Sequence, residues 1–128
     1  MKLIEQNSNF AMASVGKFSN LEGKHFVKDL LQTTSMEVSI TSLAPGEKSL
    51  YHQHRQNEEL FIIVAGIGLM LLDGEYYKIE EGSLIRVAPS IGRGLENNGV
   101  EPLKFICIQA KVNSLEGYTL TDGNLVKQ

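Results

Sequence analysis

The chain of 128 residues has a single cysteine, no tryptophan, three prolines and only 7% aromatic residues. One thiol cannot close an intrachain bridge, so a disulfide scaffold is excluded. Positive charge is also scarce. Twelve Lys+Arg against 15 Asp+Glu give a formal net charge of -3, which leaves no overall field to draw in phosphate backbones and argues against nucleic acid as a partner. Long apolar runs are missing too. The longest, Leu60 to Leu72, is interrupted by Gly66 and Gly68 and falls short of the ~20 residues a spanning helix needs, so no membrane insertion is expected. Met1-Lys2-Leu3-Ile4 runs straight into Glu5, Gln6 and Asn7 without the apolar stretch of a secretory signal, and the expectation is a cytoplasmic protein.

What is present is enough for one domain. Hydrophobic residues make up 42% of the chain, and a chain of this size buries roughly two thirds of its unfolded surface without a structural metal. Twelve glycines divide it into short segments rich in Val, Ile, Leu, Phe and Tyr, with no sustained helical period, which reads as all-β. Met36 to Leu43 alternates with period two and stops at Pro45-Gly46. Lys48 to His54 reads as a strand with Leu50, His52 and His54 on one face and Ser49, Tyr51 and Gln53 on the other. Glu59 to Val64 is apolar on both faces after its leading glutamate, as in a strand covered twice. Ile67 to Leu72 and Glu75 to Ile79 flank Asp73-Gly74, a strong hairpin signal. Ser83 to Ala88, Ile91 to Asn97 and Leu103 to Gln109 complete a core over residues 36–111, with the spacing of a closed antiparallel barrel or sandwich. Residues 1–35 are expected as edge strands or an arm, with Leu30-Leu31-Gln32 readable as a helical turn. Residues 114–128 read as a polar tail anchored by Tyr118 and Leu120.

One spacing carries chemical information. Gly46, five residues, His52, one residue, His54, four residues, Glu59, six residues, Gly66 places two histidines on one strand face, with a carboxylate opening the neighbouring strand. An isolated His-x-His is more often packing than a ligand pair; the glycines and Glu59 at fixed offsets favour a two-histidine, one-carboxylate metal set over that reading. Such a set leaves coordination positions open and suits Fe(II), with Mn, Ni or Zn as alternatives. Glu58 competes with Glu59, but the gap to Gly66 selects Glu59. His25, beside Phe26-Val27, reads as a structural histidine. Cys107 lies between Ile106 and Ile108 and reads as a small buried hydrophobe without a base to activate it. Tyr51, Tyr76 and Tyr77 read as packing or interface residues.

The spacing from Gly46 to Gly66 resembles the first motif of the cupin superfamily, small jelly-roll β-barrels that hold a metal or small ligand inside. The second cupin motif is matched in part by Gly82, Pro89, Gly92 and Asn97, and the position of its metal-binding histidine, four before Asn97, is occupied by Arg93. The resemblance implies a single cupin barrel with a pocket lined by His52, His54, Glu59, Arg93, Phe61, Ile63 and Asn97. Because cupins include enzymes, storage proteins and sensors, it does not imply one activity. A guanidinium about 6 Å from a divalent ion, at an effective dielectric of ~20, would oppose it by on the order of 5 kcal/mol.

Three arrangements follow. His52, His54 and Glu59 hold a metal while Arg93 clamps a small anionic ligand; or a metal-free, non-catalytic pocket contains a Glu59 to Arg93 ion pair; or Arg93 points outward. A homodimer is also expected. Phe61, Ile63, Ile67, Leu69 and Leu71 are assigned to the barrel interior, which leaves Leu60, Ile62, Val64, Met70 and Leu72 as an outer apolar set to be covered by residues 1–35 or by a partner.

Overall fold

The computed structural model describes residues 1–127. Along them run β1 (Lys2–Gln6), β2 (Ala11–Ser14), β3 (Gly23–Val27), β4 (Glu37–Leu43), β5 (Asn57–Ala65), β6 (Ile67–Leu72), β7 (Glu75–Glu80), β8 (Leu84–Val87), β9 (Arg93–Glu96) and β10 (Leu103–Lys111), with single-turn 3-10 helices at Phe18–Asn20 and Asp29–Leu31. The fold is an all-β jelly roll of antiparallel sheets. One sheet has five strands in the order β3-β4-β10-β5-β8, a second has three in the order β7-β6-β9, and β1-β2 form a hairpin that pairs with neither. No helix among the described residues is long and apolar enough to cross a membrane.

The core lies between the two larger sheets. Ile63, Leu103 and Phe105 from the first meet Met70, Ile79 and Leu95 from the second. On β5 the expected parity holds, with Phe61 and Ile63 buried. On β6 it is reversed: Met70 is fully buried, whereas Ile67 is 56% exposed. The cause lies at the corner between the strands. The β5–β10 register slips between Lys104 and Phe105, and Gly66 takes a φ of +86° where a Cβ would fall 2.4 Å from the Pro102 carbonyl oxygen. A bulge followed by a left-handed glycine shifts the phase by one residue. A strand apolar on both faces gives no warning of it.

Lys48 to His54 is not a continuous strand. It runs beside β9 through two isolated bridges, Lys48 to Glu96 and His52 to Arg93. Between them the Tyr51 ring lies on Gly92, where a Cβ would come within 2.4 Å of the hydroxyl, and the hydroxyl accepts the Gly74 N–H at 3.1 Å. Alternation breaks there: Leu50 is exposed, and Ser49 lines the interior, its Oγ accepting the Leu95 N–H at 2.8 Å.

The N-terminal segment divides between the two expectations. β3 joins the five-stranded sheet as an edge strand beside β4, while β1-β2 form an arm. The helical turn expected near Leu30 is the 3-10 turn Asp29–Leu31. In the tail, Tyr118 and Leu120 are both exposed and anchor nothing; with the chain beyond Lys111 outside any sheet, no apolar surface is brought against them.

Candidate metal centre and cavity

Antiparallel pairing aligns three inward-facing rows across the five-stranded sheet. Glu37, Gln109, Glu59 and Val87 form the first; Phe26, Ser39, Cys107 and Phe61 the second; Lys24, Thr41, Phe105 and Ile63 the third. Because β4 contributes only small hydroxyl side chains to the last two rows, the sheet does not close against the opposite wall. A cavity of about 280 Å³ remains, with His52, His54 and Arg93 on its far side.

Arg93 turns inward and is 0% exposed. Its Nη1 donates to Glu59 Oε1 at 2.6 Å, its Nη2 to the Ala88 carbonyl at 2.7 Å and its Nε to the Ile91 carbonyl at 2.8 Å. The turn from Ala88 to Ile91 is thus wrapped around the guanidinium. Within it Ser90 adopts a left-handed φ of 67° and donates its N–H to the His54 carbonyl at 2.7 Å, so the same turn fixes His54. The other oxygen of Glu59 accepts the Cys107 thiol, Sγ to Oε2, at 3.0 Å. Burial and that carboxylate push the Cys107 thiol well above its ordinary range, so it is a hydrogen-bond donor and not a nucleophile.

The two histidines stand edge to face with ring centroids 4.9 Å apart. His52 Nδ1 lies 2.9 Å from the Leu50 carbonyl oxygen. A carbonyl can only accept, so Nδ1 carries a proton; in the neutral ring this leaves the lone pair on Nε2, the tautomer and backing that metal-ligating imidazoles have. His54 has its pKa lowered by burial, a shift that nearby Glu59 opposes and His52 and Arg93 reinforce. It is therefore neutral at pH 7, and the 3.6 Å approach of His54 Nε2 to Glu59 Oε1 is not an ion pair there. One potential ligand atom from each of His52, His54 and Glu59 lies within 4.8 Å of the others. Two imidazoles and a carboxylate fit a borderline divalent ion in donor type. In charge they do not balance it, since Arg93 already neutralises Glu59.

Of the residues singled out in the sequence, His52, His54, Glu59, Arg93 and Phe61 meet at the cavity. Ile63 and Asn97 do not. Ile63, one row further in, sits in the core between Phe105 and the second sheet. Asn97 uses its amide on the Leu43 and Glu101 carbonyls at 2.9 and 2.8 Å and accepts the Gly99 N–H at 2.9 Å, tying loops together below the cavity. His25 Nε2 meets the Glu22 carbonyl at 2.9 Å, away from the centre. Lys24, Ser39 and Thr41 line the cavity and carry no motif. Their signal is the polar face of β4, Glu37-Ser39-Thr41, which the period-two rule assigns to solvent and the fold turns inward.

Comparison with known proteins agrees with this architecture. The cupin domain family matches residues 39–109. An uncharacterized protein of Methanocaldococcus jannaschii is 40% identical over 62 residues, 48% of this chain and 50% of that protein. A mannose-1-phosphate guanylyltransferase of Salmonella typhimurium is 30% identical over 73 residues, 57% of this chain but 15% of the enzyme. The chain thus spans half or less of these curated relatives. The crystal structure of a cupin protein from Bacteroides fragilis superposes with a TM-score of 0.83 at 36% identity, covering 94% of this chain and 100% of that one. With the first motif complete, the jelly-roll topology in place and more than half of its length matched by the family, the chain belongs to the cupins.

Proposed function

We propose that this cupin binds a small anionic molecule in its cavity together with a divalent metal ion, Fe, Mn, Ni or Zn, held by His52, His54 and Glu59. The observation that carries the reading is the convergence of three ligand atoms within 4.8 Å at the cavity wall, one of them an imidazole whose tautomer is fixed by Leu50. When bound, the metal would supply Lewis-acid polarisation of a ligand oxygen. The donors and Arg93 sum to a formal charge of zero, so a dication is balanced only when the ligand brings negative charge. Binding is the activity these groups support; none besides the ligands is poised as a catalytic acid or base, and Cys107 holds its proton too firmly to act as a nucleophile.

A second reading rests on the 2.6 Å contact between Arg93 and Glu59: the guanidinium replaces the metal, and the pocket is a metal-free binding module. Metal titration by calorimetry, with elemental analysis of the purified protein, separates the two. The first reading expects one divalent ion per chain, lost in His52→Ala and bound roughly tenfold or more tightly in Arg93→His, where the repelling charge is gone. A wild-type protein that binds no divalent ion, either alone or with a small carboxylate or phosphate present, refutes it and supports the second.

A homodimer is also proposed. The hairpin β1-β2 pairs only with itself and leaves Leu3, Ile4, Phe10 and Met12 exposed. An isolated two-stranded hairpin is marginal in water, and an apolar surface of this kind favours a partner subunit. Light scattering at micromolar concentration is expected to give twice the 14.2 kDa of one chain. The monomer mass with no concentration dependence would end the proposal.

A further inference from the structure

We infer that the cavity selects a ligand carrying both hydroxyl groups and one anionic group, and that Ser39, Thr41 and Lys24, not Arg93, recognise it. The inference rests on the ligand-binding reading above and deepens it. Ser39 and Thr41 are each 6% exposed, line the cavity, and have no side-chain hydrogen bond to protein among the described residues, while no fully enclosed polar atom is left without a partner. Both hydroxyls therefore open onto the cavity. They stand two residues apart on β4, roughly 7 Å along the strand, in positions where an inward-facing strand ordinarily carries Val or Ile. Burying a hydroxyl with nothing to bond costs about 1–3 kcal/mol, and the neighbouring outward positions Val38 and Ile40 show that β4 has apolar residues to place. A strand that turns its polar face into a protein is coherent when something polar fills the space.

Among the described residues that line the cavity, Lys24 is the cation left for the anionic group. Arg93 has Nε and both Nη atoms engaged by Ile91, Ala88 and Glu59. Lys24, directly across from Thr41 on β3, lines the cavity, makes no ion pair among the described residues and holds its Nζ 4.7 Å from the centroid of the Phe26 ring. Carboxylate and phosphate suit an ammonium group equally well. Glu37, on the same wall, accepts from a ligand hydroxyl, and Phe61 and Phe105 cover a carbon skeleton. A hydroxylated acid or a phosphorylated polyol of a few carbons fits this set of contacts.

Two probe pairs test it by calorimetry on the full chain: glycerate against propionate, and glycerol 3-phosphate against propyl phosphate. The hydroxylated member of at least one pair is expected to bind tenfold or more tightly than its partner, and the pair that responds identifies the anion. Ser39→Ala/Thr41→Val should abolish that preference without weakening the deoxy probe; Lys24→Met should weaken both members of the pair about tenfold. Equal affinities within both pairs, a preference that survives Ser39→Ala/Thr41→Val, or no saturable binding of any probe overturns the inference. Repeating the titrations on His52→Ala and with EDTA isolates the metal reading, whose failure would leave the hydroxyl preference intact.

Discussion

The two walls of the cavity treat buried polar groups in opposite ways. Where Arg93 meets Glu59, both charged groups are engaged by protein: Arg93 by Glu59 and two turn carbonyls, and Glu59 also by Cys107. On the β4 side the Ser39 and Thr41 side chains line the cavity without a hydrogen bond to protein among the described residues. A buried charge can be kept only if it is paired and hydrogen-bonded, so the first wall is committed to holding itself together. Hydroxyls cost less to leave open, and the second wall is free to hold something else.

The largest effect should come from breaking the engaged wall. Arg93→Met leaves the Glu59 carboxylate buried without its cation, and a loss of about 3–5 kcal/mol in unfolding free energy is expected from urea titration. Replacing both partners, as Glu59→Leu/Arg93→Met, should recover most of it, because no uncompensated charge is then buried. If the double variant is no more stable than the single one, packing and not charge explains the loss.

A smaller effect is expected from pH. The folded-state pKa of His54 lies below the ordinary 6.5 that it regains on unfolding, so in the window below 6.5 the unfolded chain binds the proton first. Stability should hold above pH 6.5 and fall as the pH drops through that value towards the folded pKa. His54→Gln should flatten the profile between pH 7.5 and 5.5. An identical slope in the variant would assign the effect to another group. At the bottom of the scale stands the surface pair of exposed Lys48 and partly buried Glu96, with Nζ 2.9 Å from Oε1. Screened by solvent, it should contribute too little for Lys48→Ala to move the melting temperature measurably, in contrast to Arg93→Met.

The contrast between the walls also explains which parts of the site are legible in one dimension. His52, His54 and Glu59 are readable because their chemistry is concentrated in fourteen consecutive positions, Gly46 to Glu59. Arg93 is readable by its offset from Asn97, and its inward turn is found as expected. That its guanidinium is buried and held at all three nitrogens is not readable, because the carbonyls that hold it come from a turn whose path depends on where Glu59 and His54 lie. Ser39 and Thr41 are hidden for another reason. Alternation states which residues share a face of β4 but not which face is inside.

By itself, then, the sequence determined the all-β class, the hairpin at Asp73-Gly74 and the grouping of His52, His54 and Glu59, all of which follow from local spacing and turn chemistry. Only the tertiary structure decided the polarity of β4, the phase change at Gly66 that buries Met70 in place of Ile67, the interruption of residues 48–54 by Tyr51, and the closing of Arg93 onto Glu59. Each of these depends on contacts between segments distant in the chain, where burial and close approach outweigh the preferences of any single strand.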